Sequence, residues 1–158
     1  MFGFHITTYA GRTGQDNTFR RSWAKFYADN CLRTISRLIE EARGTDDELR
    51  DWIEKTASVV LPKLLGNGHL GGKRGVKPAL VHGDLWNGNK ARGRLGGKRE
   101  IKDVAFDVSS CYAHSGYESR FMRMFDGFPA GFFSEYHRLI PKTESTHEYE
   151  DRMKLYQM

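Results

Sequence analysis

With 158 residues, 39% of them hydrophobic and 13% aromatic, the chain can enclose one core and is too apolar to stay disordered. Twenty-five Lys and Arg against 20 Asp and Glu give a net charge of +5, and the two cysteines, Cys31 and Cys111, have neither metal-site spacing nor the number a disulfide framework needs. No run of about 18 apolar residues is available to span a membrane, and Met1 to Ala10 is too short and polar for a secretory core, so a soluble, cytoplasmic protein with free thiols and no membrane partner is expected.

Ser22 is placed to cap a helix whose apolar positions, Trp23, Phe26, Tyr27, Cys31, Ile35, Leu38 and Ile39, recur every three or four residues and predict a core-facing stripe. A second helix starts near Asp46 or Asp47, with Leu49, Trp52, Ile53, Val60, Leu61 and Leu64 on one side, and Pro62 should kink or interrupt its last turns. Ala79 to His82 reads as a buried strand and Ile101 to Phe106 as a second β-prone run, with room for a hairpin-like excursion between them. Leu70-Gly71-Gly72-Lys73-Arg74 recurs as Leu95-Gly96-Gly97-Lys98-Arg99. Two copies are too few for a solenoid and neither has the spacing of a phosphate cradle, so both read as exposed turns at strand ends remote from the loop after His82. Pro129 suits the first position of a helix carrying Phe132, Phe133 and Tyr136, which Pro141 ends. A last amphipathic helix near Thr146 to Tyr156 presents Tyr149, Met153 and Tyr156 to a surface expected to lie outside the chain.

The stretch richest in chemistry is His82-Gly83-Asp84-Leu85-Trp86-Asn87-Gly88-Asn89, followed by the run that delivers Asp107. An Asp, an Asn five residues later and an Asp at the end of a following strand form the set that kinase-like phosphotransferases use for a catalytic base and two magnesium ligands. The base must reach the proton of the attacking hydroxyl, while an amide oxygen and a second carboxylate converge on the metal beside the nucleotide phosphates. A short loop between two strands can hold all three. His-Gly-Asp alone is common in ordinary turns, because Gly accepts positive φ and Asp bonds to nearby backbone amides, so the weight lies on the combination.

This loop resembles that of the fructosamine kinase (ketosamine 3-kinase, protein-ribulosamine 3-kinase) family, relatives of the aminoglycoside phosphotransferases, from which Trp86 separates it. Other segments agree with the family in order: Phe2-Gly3-Phe4, then Gln15-Asp16-Asn17-Thr18 ahead of Trp23 and Phe26, then Phe106-Asp107 ahead of Cys111-Tyr112-Ala113-His114, and Met124-Phe125-Asp126-Gly127-Phe128-Pro129 ahead of Tyr136-His137. The resemblance implies ATP-dependent, Mg2+-assisted phosphorylation of the 3-hydroxyl of a protein-bound ketosamine, ribulosamine or fructosamine, after which the unstable adduct detaches. Substrates would be glycated proteins or ketosamine small molecules. By motif position Asp84 is the base, Asn89 and Asp107 are metal ligands, Trp86 offers a face to the sugar, and His82 braces the loop. Departures follow Asp107. Val108-Ser109-Ser110 stands where a Pro-Ala-like pair is usual, and Gly116 replaces one of two acidic residues, which leaves Glu118 to brace the loop. Ser119 and Arg120 stand where Leu and a small residue are usual, so bracing from the following helix is expected to be weak.

The implied fold is α+β: a single domain over residues 1–158, the mostly helical C-terminal lobe of a protein-kinase-like, aminoglycoside phosphotransferase-like fold, with a small β element carrying the catalytic loop. Residues 1–21 correspond to an interlobe-like segment, and residues 79–107 to the catalytic and metal-binding segment. No Gly-rich loop, strand lysine and helix glutamate precede them, so the N-terminal nucleotide lobe is expected to be absent and the isolated chain to have negligible activity. The alternative is a kinase-fold remnant without catalysis that acts by binding. A third reading, a basic nucleic-acid-binding protein, draws on the Lys and Arg between Lys73 and Lys102, which lack interleaved aromatics and match no nucleic-acid motif. No specific nucleic-acid partner is expected.

Overall fold

Two antiparallel strand pairs meet beside the loop that follows His82. The computed structural model describes residues 1–97 and 99–158. β1 (Thr8–Ala10) and β2 (Thr13–Gln15) form a hairpin with Thr8 opposite Gln15. β3 (Ala79–Val81) pairs antiparallel with β6 (Cys111–Ala113), Val81 opposite Cys111. Between them in sequence, β4 (Lys90–Arg94) and β5 (Ile101–Ala105) make a second hairpin with Lys90 opposite Ala105, which is the expected excursion.

Residues 1–21 lie against the β3–β6 pair. Phe2 exchanges backbone hydrogen bonds of 2.8 Å with Arg20, and Gly3 exchanges bonds of 3.0 and 2.9 Å with Tyr112. Gly3 sits at φ +127°, and a Cβ there would stand 2.6 Å from the carbonyl oxygen of Asn17, so this approach requires glycine.

Both long helical runs begin where side-chain acceptors predict. Ser22 Oγ accepts the N–H of Lys25 at 3.4 Å, and Asp46 Oδ1 accepts that of Leu49 at 3.0 Å. The first run comprises α1 (Trp23–Phe26), a π-helical turn over Tyr27–Arg33, and α2 (Thr34–Arg43). The second comprises α3 (Asp47–Lys55), a π-helical turn over Thr56–Val60, and α4 (Leu61–Leu65). The two π turns pack against each other. Each widens the helix and rotates the face that follows. The predicted stripes therefore hold on one side of each π turn only: Trp23, Phe26 and Tyr27 are buried but Ile35 is exposed, and Leu61 is buried but Leu49, Trp52 and Val60 are exposed. Pro62 lies just past the second π turn, so the interruption precedes the ring instead of coinciding with it.

Three further expectations change. Leu80 is 61% exposed, because successive residues of the two-stranded β3–β6 pair face opposite ways and only Val81 is turned to the core. Ile101 and Phe106 are exposed because the β4–β5 hairpin is largely uncovered on both faces. Pro129 is the N-cap of α6 (Ala130–Leu139), one position before the first helical residue, and the helix ends ahead of Pro141 as expected. The first glycine-rich repeat forms a 3₁₀ turn over Gly72–Arg74 beyond the buried Leu70, and the second makes the tip of the β4–β5 hairpin, where Lys98 lies outside the described residues.

The largest correction concerns α7 (Tyr149–Tyr156), whose Tyr149, Met153 and Tyr156 are buried within this chain. Tyr156 Oη accepts the indole N–H of Trp23 at 2.7 Å, and Tyr27 Oη donates to the Leu155 carbonyl at 3.0 Å. The rings of Trp23, Tyr27, Tyr117 and Tyr156 stand 5.3 to 6.1 Å apart, mostly edge to face, which is a favourable aromatic arrangement. His114 joins this core through Tyr156 Oη at 3.0 Å and Thr143 Oγ1 at 2.8 Å, and burial pushes its imidazole pKa down to about 3. Cys31 and Cys111 are free thiols. Among the described residues, no helix is long and apolar enough to cross a membrane.

Candidate active site

β3 ends at Val81, and the chain that leaves it is fixed within two residues. Gly83 sits at φ +84°, and a Cβ at this position would lie 1.9 Å from the carbonyl oxygen of Ser109. Only glycine permits that approach. Ser109 in turn donates its N–H to the His82 carbonyl at 2.9 Å.

The loop is also held from behind by the segment that follows β6, a 3₁₀ turn over Ser115–Glu118 leading into α5 (Ser119–Met124). Glu118 Oε2 accepts the backbone N–H of His82 at 2.5 Å, and Arg120 Nη2 donates to the Gly83 carbonyl. Both side chains are buried. Burial pushes the Glu118 carboxyl pKa up, against the lowering effect of the His82 N–H and of Arg120. The expected weakness of this bracing is thus corrected: Arg120 adds a second clamp beside Glu118. A buried arginine is hard to anticipate, since the residue type is mostly exposed; the only sequence signal is its position between Tyr117 and Phe121, over whose rings the guanidinium lies at 3.6 and 4.1 Å.

His82 faces forward. Its Nε2 donates to the Phe106 carbonyl at 3.0 Å, which leaves Nδ1 to accept the N–H of Asp84 at 3.3 Å. Both ring nitrogens are thereby engaged in positioning the loop and the end of β5.

Asn89 brings the three predicted residues together. It is 6% exposed, at the end of a 3₁₀ turn over Asn87–Asn89, and its Nδ2 donates to the Asp84 carbonyl at 2.9 Å and to Asp84 Oδ2 at 3.0 Å, with the Asp107 carbonyl at 3.5 Å. The β4–β5 register makes this possible, since Phe106 N–H reaches the Asn89 carbonyl at 3.1 Å and delivers Asp107 immediately afterwards. Asp107 itself adopts φ +57°, a left-handed conformation that Asp tolerates better than most residues. Partial burial raises the Asp84 pKa; the Asn89 amide, Arg120 and His82 pull it down, and Asp107 adds to the rise.

Trp86 is 36% exposed, with its ring centroid 5.5 Å from that of Phe125. The ring lies so close over Gly88 that a Cβ there would meet it at 2.3 Å. One side of the indole is packed against Phe125 and Gly88, and the remainder is open. The following segment closes on the same loop: Lys90 Nζ donates to the Gly127 carbonyl and sits 4.0 Å from the centroid of Phe128. Sequence reading had no signal for this lysine, whose flanking Asn89 and Ala91 mark it only as a strand residue.

The donor set has a definite chemical character. Among the described residues, no group of three or more His, Cys, Asp and Glu converges as a metal cage. Asn89 directs its amide nitrogen at Asp84, and no hydrogen bond among the described residues engages its Oδ1. That oxygen and the exposed Asp107 carboxylate are hard ligands of the kind magnesium takes when water and phosphates complete its shell.

The fructosamine kinase family model matches residues 1–158. The chain belongs to the fructosamine kinase family. It is 34% identical to the mouse ketosamine-3-kinase over 158 residues, covering all of this chain and 46% of that protein, and 28% identical to the chloroplastic protein-ribulosamine 3-kinase of Oryza sativa subsp. indica, covering 98% of this chain and 41% of that one. It therefore spans about half the length of the curated relatives it matches. Among solved structures, that of a candidate fructosamine-3-kinase from Thermobifida fusca YX-ER1 superposes with a TM-score of 0.77 at 26% identity, covering 99% of this chain and 49% of that one. A second, from Haemophilus somnus 129PT, gives 0.75 at 23% identity over 99% of this chain and 46% of that one, which bears on the fold alone.

Proposed function

We propose that this chain carries the phosphoryl-acceptor half of a ketosamine 3-kinase, in which residues 79–107 hold the catalytic base and the metal ligands and the whole corresponds to a kinase-like C-terminal lobe. In this reading Asp84 takes the proton of the sugar 3-hydroxyl, the freed oxygen bonds to the γ-phosphorus of ATP, and the bond from that phosphorus to the ADP oxygen breaks. Asn89 Oδ1 and the Asp107 carboxylate would hold Mg2+, which when bound neutralises charge on the phosphate oxygens. Trp86 would lay its open face against the carbon face of the ketosamine. Substrates would be glycated proteins or small ketosamines. The free thiols suit a reducing compartment such as the cytoplasm.

The observation that most supports this reading is the Asn89 amide, which links Asp84 and Asp107 in one cluster at the end of the β4–β5 hairpin, in a chain matched throughout by the family model. The raised Asp84 pKa adds to it, because a carboxylate held above its usual range is a stronger base near neutral pH.

The test is a segment exchange. The matching 46% of the mouse ketosamine-3-kinase is replaced by this chain, and transfer from Mg-ATP to a ribulosamine-bearing peptide is followed by mass spectrometry. Transfer that Asp84→Asn abolishes is the expected result; a folded exchange protein whose transfer is indifferent to Asp84→Asn would overturn the assignment.

A further inference from the structure

The segment between α5 and α6 is fastened to the Asp84 loop at three points. The Phe125 ring stands 5.5 Å from that of Trp86, Gly127 lies so close to Asn87 that a Cβ there would meet its side chain at 2.6 Å, and Lys90 Nζ donates to the Gly127 carbonyl. Asp126 is therefore held between a residue that touches Trp86 and one that touches Asn87, two and three positions past the aspartate assigned as base.

Asp126 adopts φ +53°, and Asp107 is the other residue besides glycine with a positive φ among the described residues. An aspartate in this conformation commonly bonds to nearby backbone. Here the carboxylate is exposed, and no ion pair or side-chain hydrogen bond among the described residues engages it. Lys90, which reaches the same segment, gives its ammonium to the Gly127 carbonyl and the Phe128 ring. The segment thus presents an unpaired carboxylate next to two partly open rings, Trp86 and Phe125.

Aromatic rings together with a carboxylate suit an alkylammonium ion: the ring faces attract the cation and cover its carbons, and the carboxylate accepts its N–H groups. On the reading of Asp84 as the base for a ketosamine, the substrate brings such a cation with it. Its protonated amine sits on C1, beside the C2 ketone, and the hydroxyl to be phosphorylated is on C3, so the nitrogen and that oxygen lie no more than about 5 Å apart. A hydroxyl seated at Asp84 leaves the nitrogen near the edge of the loop to which the Asp126 segment is fastened.

We propose, resting on that reading, that Asp126 is a specificity-determining residue that pairs with the ketosamine ammonium while Trp86 and Phe125 flank it, so that amine-linked sugars are taken in preference to neutral ones of the same shape. NMR titration of the full chain compares 1-deoxy-1-(propylamino)ribulose with its ether counterpart, 1-O-propylribulose. Both should shift the amide signals of residues 84–89, and the amine should bind about tenfold more tightly. Asp126→Asn should bring the amine down to the level of the ether and leave ether binding unchanged. Asp126→Gly, which suits the positive φ, should do the same and serves if the asparagine variant does not fold. Equal binding of the two probes at residues 84–89, or a preference that survives both variants, overturns the role of Asp126 and leaves the reading of Asp84 standing. If neither probe perturbs residues 84–89, both fall.

Discussion

Glu118 holds the backbone N–H of His82 at 2.5 Å, two residues before the aspartate assigned as base. The bond joins the end of β3 to the turn before α5, and it leaves Glu118 Oε1 without a partner in a buried setting. Removing the acceptor should therefore cost more than altering its charge. Glu118→Ala is expected to lose about 1–3 kcal/mol, the penalty for an orphaned buried N–H, whereas Glu118→Gln should lose less than about 1 kcal/mol because an amide oxygen still accepts. Denaturant melts give the two values, and hydrogen exchange at the His82 amide should quicken in Glu118→Ala only.

Gly83 carries the tightest steric demand in the loop. Gly83→Ala combines a positive φ with a Cβ set 1.9 Å from a backbone oxygen, and should destabilise by about 3 kcal/mol or more. For a chain of this length that corresponds to a fall in Tm of roughly 6–12 °C. Gly93, in β4, has an ordinary φ and open space around it, so Gly93→Ala should shift Tm by no more than about 2 °C. Equal effects at the two positions would contradict the close approach of Gly83 to Ser109.

His114 makes stability pH-dependent. Its folded pKa of about 3 lies below the ordinary histidine value, so between the two the unfolded chain binds more protons than the folded one. Stability is then complete above the unfolded value and is lost as pH falls toward 3, by up to about 1.4 kcal/mol per pH unit. Glu118 acts in the opposite sense, since its raised pKa favours the folded state at acid pH and offsets part of the loss. His114→Gln should flatten the decline in unfolding free energy between pH 6 and 4; an unchanged slope would show that the imidazole is not buried neutral.

In the exchange protein, Asp84→Asn should lower the transfer rate by roughly 10²–10⁴-fold, the usual worth of a general base, with little change in Tm. The Asn89 amide can still meet the new side-chain oxygen, so folding is not expected to suffer.

The clustering of the candidate site was legible in its spacing, because the chemistry proposed for it constrains spacing. Asp84, Asn89 and Asp107 fall where a loop and a hairpin bring them together, and Ser22 and Asp46 cap helices because an oxygen three residues upstream of a free N–H is a local device. Context-dependent features were less legible. A π turn adds one residue to a helical turn without any compositional mark, so the stripes through Ile35 and Trp52 lost their phase. Leu80 read as buried because strands of that composition usually are, whereas the two-stranded β3–β6 pair leaves one face uncovered. Tyr149, Met153 and Tyr156 read as reaching for an outside surface because nothing local records that Trp23 and Tyr27, more than 100 residues away, receive them. Arg120 was the hardest, since its burial depends on stacking over Tyr117 and Phe121 and on the Gly83 carbonyl in the loop after β3.

The most direct test of the central claim, that Asp84, Asn89 and Asp107 form one metal-assisted phosphotransfer centre, is paramagnetic line broadening in the NMR spectrum of this chain on titration with Mn2+ and ATP. Broadening concentrated at residues 84–89 and 107, and lost in both Asp107→Asn and Asn89→Ala, is the predicted result. Broadening centred elsewhere, or persisting in both variants, would contradict it.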